Sequence, residues 1–196
     1  STFNLNSFLV DIYTLMQVSA NDKGIELTLT SSTPLPEEIH CDPTRLRQIL
    51  INLIHNGIKF TDHGTVSVSV KAEIESELCV LYFYVEDTGK GIPVLEIDKI
   101  FQPFEQIEDT ISRKETGSGL GLAISSELAK KLGGGITAKS IIGEGSCFTL
   151  SISCQNVKDT ALSNLSLERK VIGENNTSLQ PLTGRVLVVD DVADIR

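Results

Sequence analysis

The sequence predicts an α/β (α+β) fold. Stretches with apolar residues at helical spacing alternate along the chain with short runs in which every second residue is apolar. Glycines and prolines fall between these stretches, where turns are needed. Composition agrees: 196 residues, 40% hydrophobic and 22% charged, supply one packed domain with a remainder and exclude wholesale disorder.

Taken in order, Asn6 is placed to cap a helix that runs to about Asp22, with Phe8, Leu9, Ile12, Leu15, Met16 and Val18 on or near one face. Gly24 stops it, and Ile25, Leu27 and Leu29 alternate as a strand. Pro34 and Pro36 mark a loop. Asp42 caps and Pro43 opens a second helix, which lasts to about Phe60. Two short strands follow, Val66–Val70 and Leu78–Val85, and Gly89, Gly91 and Pro93 end the second in a loop. A short helical piece is expected over Val94–Phe101, then a polar mobile loop over Glu105–Gly119. The helix Leu120–Leu132 ends at Gly133-Gly134-Gly135. Strands Ile136–Ile141 and Ser146–Cys154, turned by Gly143 and Gly145, close the first domain, residues 1–154. Residues 155–184 are rich in Ser, Asn, Thr and Gly and read as a linker. Residues 185–196 hold an apolar run, Val186-Leu187-Val188-Val189, followed by Asp190 and Asp191, and read as the start of a second domain.

The net charge of −9 argues against a non-specific grip on nucleic acid or anionic lipid, which needs clustered Lys and Arg. No uncharged apolar run approaches the roughly 18 residues of a membrane span, and no signal peptide opens the chain. Cys41, Cys79, Cys147 and Cys154 are far apart and form no C-x-x-C pair. With His40, His55 and His63 they make no zinc spacing, so reduced thiols of a cytosolic domain are expected.

Three constellations carry chemistry. On the second helix, Ile49, Phe60, Leu53, Leu46, Gly57, Leu50 and Ile54 make a broad apolar face, edged by Arg45, Gln48, Asn52, Asn56 and Lys59. Asn52, Asn56 and Lys59 are spaced to point the same way. Amide oxygens beside an ammonium suit a hydrated Mg²⁺ on phosphates; a solvated helix edge is the plainer reading. His55 falls on another face. Next, a strand delivers Asp87 into the turn Thr88-Gly89-Lys90-Gly91-Ile92. A carboxylate at a strand end accepts from an exocyclic amine such as adenine N6, although such turns are common in themselves. Last, Gly117-Ser118-Gly119-Leu120-Gly121-Leu122 offers backbone N–H groups and a helix start to anionic oxygens. Arg113 and Lys114 stand just upstream, as phosphate ligands or as solvated charges. The run Gly133–Ser140 nearly matches a phosphate-binding P-loop, but its last glycine is Ala138, and the helix-to-strand order is reversed from what that loop requires. The spacing of a dinucleotide site and the G-x-S-x-G nucleophile elbow are both missing.

The order of these motifs is more specific than any one of them. "DPTRLRQILINLIHNGIKFT", "DTGKGI", "FQPF", "GSGLGL" and "GEGSCF" closely resemble the N, G1, F, G2 and G3 boxes of the ATP-binding catalytic domain of sensor histidine kinases, over residues 1–154. "RVLVVDD" resembles the first strand and acidic pair of a response-regulator receiver domain, so the whole resembles part of a hybrid kinase. The resemblance implies the Bergerat fold: a two-layer sandwich with a mixed sheet packed against three helices and a flexible ATP lid. It implies Mg²⁺ on Asn56, with Asn52 and Lys59 at the phosphates in the catalytic role and Phe60 beside the nucleotide. Asp87 would recognise adenine in a pocket shaped by Gly89, Gly91 and Ile92. Phe101 and Phe104 would anchor the lid, Arg113 would reach the phosphates, and Gly117, Gly119, Leu120, Gly121 and Leu122 would line the triphosphate. Gly143, Gly145 and Phe148 would be structural.

The cofactors implied are ATP and Mg²⁺. The partners implied are a helical dimerisation domain bearing the acceptor histidine and a receiver domain, with no nucleic acid and no direct membrane contact. The fragment would be monomeric, within a homodimeric, inner-membrane sensor protein whose kinase domain is cytoplasmic. Gly57 stands where the family usually has Ala, at a cost of up to about 1 kcal/mol of helix stability. His40, His55 and His63 match no part of the acceptor motif, and the receiver portion lacks its acceptor Asp. Two other readings are an ATPase of the gyrase, chaperone or mismatch-repair branch and a degenerate nucleotide-sensing docking module. The first usually places a Glu, as base for water, where this chain has Asn52, an amide that cannot take a proton.

Overall fold

The structure is a computed structural model that describes residues 1–75, 78–105, 119–155 and 160–167. Arg113, Lys114, Gly117 and Ser118, most of the expected linker, and the expected receiver strand with Asp190 and Asp191 lie outside the described residues.

The first strand, β1 (Thr2–Asn4), runs directly into helix α1 (Leu5–Lys23). Asn4, not Asn6, caps this helix: its side chain accepts the Ser7 N–H at 2.8 Å. Leu5, Phe8, Leu9, Ile12, Met16 and Ala20 form the buried stripe, at the three- and four-residue spacing of a helical face. Leu15 and Val18, expected near that face, fall off the stripe and are exposed. Gly24, in the left-handed region at φ 70°, ends the helix as expected.

Next come β2 (Glu26–Ser31), β3 (Leu35–Pro36) and β4 (Glu38–His40), so the expected proline loop holds two short strands. Helix α2 (Pro43–Phe60) begins at Asp42, whose carboxylate accepts from Thr44 N and Arg45 N and also pairs with the Arg45 guanidinium at 3.1 Å. Its buried face is Leu46, Ile49, Leu50, Leu53, Ile54, Gly57 and Ile58. Phe60, expected on this face, instead emerges at the end of the helix with 36% of its surface exposed, and Ile58 takes the core position.

Strands β5 (Thr65–Glu75) and β6 (Leu78–Asp87) are longer than the apolar runs suggested: β5 continues past Val70 with Lys71, Glu73 and Glu75 alternating onto the open face, and β6 continues past Val85 through Glu86 and Asp87. Two single turns of 3-10 helix, Val94–Glu96 and Lys99–Phe101, stand in place of one short helix. Helix α3 (Gly121–Lys131), β7 (Gly135–Ile141), β8 (Gly145–Gln155) and β9 (Leu162–Ser163) complete the described chain.

The sheet runs β1-β4-β8-β6-β5-β2, with β7 also paired to β8. Only β2–β5 among these pairs is parallel, so the sheet is mixed. Val66, Val68 and Val70 of β5, Leu81, Phe83 and Val85 of β6, and Phe148, Leu150 and Ile152 of β8 are buried on one face under the three helices. The intervening Ser67, Ser69, Tyr82, Tyr84, Thr149 and Ser151 lie on the other face, only half-buried. Period-two burial on the strands against helical stripes therefore gives two layers. The helix-to-strand passage at Gly133–Ser140 confirms that the near match to a P-loop there is accidental.

Residues 160–167, inside the expected linker, lie against this domain. β9 pairs antiparallel with β3, Glu37 N donates to Ala161 O at 2.8 Å, and Leu165 packs on the core. Asn6 is used here rather than as a cap: its Nδ2 donates to Ser166 O at 3.0 Å and its Oδ1 accepts Ser166 N at 2.9 Å.

Candidate nucleotide site

The polar edge of α2 lies between two turns. On one side is the loop that leaves β6; on the other is the start of α3. Asn52, half-buried, directs its Nδ2 to the hydroxyl of Ser125 on α3, 2.9 Å away. Gly121 explains how α3 comes this close: a Cβ there would sit 2.5 Å from Asn52 Oδ1. The Asn52 carboxamide thus occupies space that any other residue at position 121 would fill, with its amide nitrogen fixed and its oxygen at the glycine. Asn56 follows one turn later on the same edge, half-buried, and Lys59 comes after it.

Asp87 stands at the end of β6, half-buried beside α2. A Cβ on Gly57 would lie 3.6 Å from Asp87 Cβ and 3.2 Å from Val66 Cγ1, so the bare helix surface at Gly57 is what the carboxylate's strand packs against. Burial pushes the Asp87 carboxyl above the usual carboxylate range, opposed by backbone N–H groups of Gly89 and Ser146 that donate to it. The Gly89 bond is 2.9 Å. A carboxylate held by two backbone donors and short of water is an acceptor awaiting a further donor.

The turn after Asp87 is fixed from both sides. Lys90 N lies 3.4 Å from Phe60 O, and Lys90 O accepts Gly143 N at 2.8 Å. Ile92 N donates to Ser140 Oγ at 2.7 Å, which in turn bonds Gly145 O at 2.7 Å. Gly91 has φ 72°, and a Cβ there would fall 2.1 Å from Ile141 O; only glycine permits the turn to press on the β7–β8 hairpin. Ile92 is partly buried against the core. Phe60 borders this turn, with Lys59 Nζ 4.8 Å and Lys90 Nζ 5.2 Å from its ring centre.

The two ends of the stretch expected as a lid meet: Phe104 N donates to Gly119 O at 3.1 Å. Phe101 is packed on the core, whereas Phe104 is 75% exposed with φ 67° and contributes its backbone, not a buried ring. Leu120 stands at the N-cap of α3, and Leu122 packs partly buried behind it. Asn52, Asn56, Lys59 and Phe60 thus lie on α2, Asp87, Gly89, Gly91 and Ile92 at the strand end and turn held against its last residues, and Gly119, Leu120, Gly121 and Leu122 at the start of α3, which meets Asn52; Arg113 and Gly117 lie outside the described residues.

Two contributors escaped the sequence. Ser125 is 1% exposed on α3 and is the partner of Asn52. Lys23, in the last turn of α1, reaches the end of α2 and donates to Ile58 O at 3.0 Å and to Lys59 O. It neutralises the negative end of the helix that carries the site. A basic residue just before Gly24 was a visible signal, but its target was not.

The donor set fits a hydrated Mg²⁺. Among the described residues no cluster of three or more His, Cys, Asp or Glu would hold a metal by itself. An ion at Asn56 would take one neutral, hard oxygen from the protein and the rest from phosphates and water, which is how Mg²⁺ is usually held.

Comparison with known proteins agrees with this geometry. Residues 41–156 match the family described as Histidine kinase-, DNA gyrase B-, and HSP90-like ATPase. The chain is 46% identical to the aerobic respiration control sensor protein ArcB of Escherichia coli K12 over 157 residues, 80% of this chain and 20% of ArcB. It is 38% identical to the signal transduction histidine-protein kinase BarA of the same organism over 186 residues, 94% of this chain and 19% of BarA. The chain thus spans about a fifth of the length of these curated relatives. Among solved structures, full-length ShkA in complex with AMPPNP superposes with a TM-score of 0.69 at 34% identity, covering 80% of this chain and 31% of ShkA. The catalytic domain of histidine kinase ThkA gives 0.61 at 25% identity, covering 78% of this chain and 96% of that domain. No helix among the described residues is long and apolar enough to cross a membrane. The chain belongs to the Histidine kinase-, DNA gyrase B-, and HSP90-like ATPase family.

Proposed function

We propose that this chain binds Mg·ATP between α2, the turn after Asp87 and the start of α3, and presents the γ-phosphate to a histidine on a helical dimerisation domain of the longer protein. The observation that carries this reading is the double closure of the α2 edge: Asn52 is bonded to Ser125 and packed on Gly121, while Gly57 brings the same helix against Asp87. In this reading Asp87 accepts from the adenine amino group, and the turn through Gly89, Gly91 and Ile92 shapes the purine pocket. Phe60 flanks the nucleotide. Lys59 and Asn52 hold the phosphates in place, and backbone N–H groups at Gly119, Leu120, Gly121 and Leu122, together with Gly117 and Arg113, complete their cradle. Mg²⁺ on Asn56 supplies charge neutralisation on the phosphates. What the chain's own side chains contribute is orientation and fixed charge, the main requirements of phosphoryl transfer.

Asn52 also bears on the choice between kinase and free-running ATPase. Its amide nitrogen is already committed to Ser125, and an amide takes no proton from water. Residues 185–196 are proposed as the start of a receiver domain and 155–184 as the linker to it, of which 160–167 lie against the kinase domain. The intact protein is proposed to be a dimeric sensor whose kinase domain works in the cytoplasm.

A binding titration tests the proposal. The purified chain should bind ATP only with Mg²⁺ present and hydrolyse it very slowly. Asn56→Asp and Asp87→Asn should each weaken binding. Mg²⁺-independent affinity, or affinity unchanged by both substitutions, would refute it.

A further inference from the structure

Three thiols form a row across the core face of the sheet. Cys79 of β6 and Cys154 of β8 are direct partners in the antiparallel register. On the other edge of β8, His40 pairs with Gln155, which sets Cys41 opposite Cys154. Cys41, next to the buried Ile39 in alternation, faces the same side as Cys154 and packs against the core. All are free in the structure, and among the described residues no cluster of this kind would hold a metal.

We infer that Cys41 and Cys154 are a redox-active pair, which an oxidant of the peroxide class joins in a reversible disulfide between the segment entering α2 and the last long strand of the sheet. Directly opposed residues of antiparallel strands have Cα atoms about 4.5–5.5 Å apart, inside the range of about 4.4–6.8 Å that a disulfide requires. The order of events follows from exposure. Cys41 is half-buried and reachable, while Cys79 and Cys154 are fully buried. The neighbouring Cys154 thiol holds the Cys41 thiol below its ordinary value, while burial raises the Cys79 thiol to about 11.

Cys41 therefore loses its proton and attacks the peroxide. The O–O bond breaks, one oxygen stays on sulfur as the sulfenic acid, and the other leaves with the proton as water. The Cys154 sulfur then displaces that oxygen: the S–S bond forms, the S–O bond breaks, and a second water carries off the remaining hydrogens. Two thiols give up two electrons and one peroxide becomes two waters. The link closes onto Cys41, immediately before the Asp42 cap of α2, so oxidation fastens the start of the site helix to the sheet.

Hydrogen peroxide added to the purified chain, followed by peptide mapping without reductant, tests this. The expected product is a single cross-link between the peptides holding Cys41 and Cys154, with loss of two hydrogens, reversed by dithiothreitol. It should survive in Cys79→Ser and Cys147→Ser and vanish in Cys41→Ser. It should also form faster in the folded chain than in urea. Oxidation of Cys41 that runs on to the sulfinic acid without cross-linking, a link through Cys79 or Cys147, or equal rates folded and unfolded would overturn the inference. Because Cys41 is half-buried and lies beyond the end of β4, Cys41→Ser keeps the fold, and its circular dichroism provides the check.

Discussion

Asn52 on α2 and Ser125 on α3 are hydrogen-bonded at 2.9 Å, although 73 residues separate them in sequence. The bond fixes which way the Asn52 carboxamide faces and ties together two helices of the site. Ser125→Ala leaves that amide nitrogen without its buried partner. The expected loss is about 1 kcal/mol of stability, with nucleotide affinity falling as Asn52 becomes free to turn. Urea melts and an ATP titration check both; unchanged affinity would mean that the orientation of Asn52 does not matter.

Gly121 tests the same carboxamide from the opposite side. Alanine suits a helix better than glycine by up to about 1 kcal/mol, so Gly121→Ala should not greatly harm the fold. Its methyl would nevertheless enter the space of Asn52 Oδ1, which a Cβ approaches to 2.5 Å. ATP affinity should fall about tenfold, equivalent to about 1.4 kcal/mol, with stability nearly kept. A calorimetric titration beside a thermal melt separates the two effects.

Much of this was legible in the sequence, and the limits have physical causes. The helices, the strands and the polar edge of α2 follow from local periodicity and caps, which act within a few residues. Asp87 and the glycines beside it were legible because a strand end with a tight turn leaves few alternatives. The Ser125 and Lys23 contacts were not, because each joins residues far apart, and nothing local distinguishes a serine facing α2 from one facing water. The two asparagines at the start of α1 show the same limit. Both Asn4 and Asn6 can cap; Asn4 does so, while Asn6 bonds Ser166, at the far end of the described chain. Periodicity puts Phe60 on the apolar face of α2 because it does not register that the helix is about to end.

Asp87 should show a conflict between stability and binding. Its carboxyl is raised by burial, so in the folded protein it holds a proton up to a higher pH than in the unfolded chain. Stability therefore falls as pH rises through the window from the unfolded value to the raised one. Above that window the buried charge is a standing cost. Asp87→Asn, which keeps an oxygen for the Gly89 and Ser146 N–H groups, should melt at a higher temperature than wild type at pH 7. The difference should shrink as pH is lowered below about 4, where Asp is protonated in both states. The same substitution should weaken ATP binding about 10- to 100-fold through loss of a charge-assisted hydrogen bond. Melts across pH, together with binding at pH 7, decide the matter; a destabilised apo variant at neutral pH would contradict it.

Lys23 carries a similar argument in the opposite sense. Its ammonium donates to Ile58 O and Lys59 O at the negative end of α2, from a half-buried position. Lys23→Met keeps most of the stem and removes the donors. The expected cost is about 2 kcal/mol, since hydrogen bonds from charged groups exceed neutral ones and the helix-end carbonyls lose their partner. Lys23→Arg should restore part of it. Chemical denaturation reads the difference, and a variant as stable as wild type would show that water replaces the ammonium without loss.

The segment 160–167 gives the last test, because it lies beyond the family match at residue 156 yet is bonded to the domain. Asn6 holds Ser166 by two hydrogen bonds, and Leu165 packs on the core nearby. If the segment docks as a unit, Asn6→Ala and Leu165→Ala should each cost about 1 kcal/mol. The double variant should cost less than their sum, since the first loss already frees the segment that the second would weaken. A double-mutant cycle in urea measures that shortfall. Strict additivity would mean that the two contacts act independently and that the segment is not one docked element. Amide exchange offers a separate check: Ser166 N–H, protected in the wild type by Asn6, should exchange faster in Leu165→Ala, where the bond itself is untouched but its support is gone.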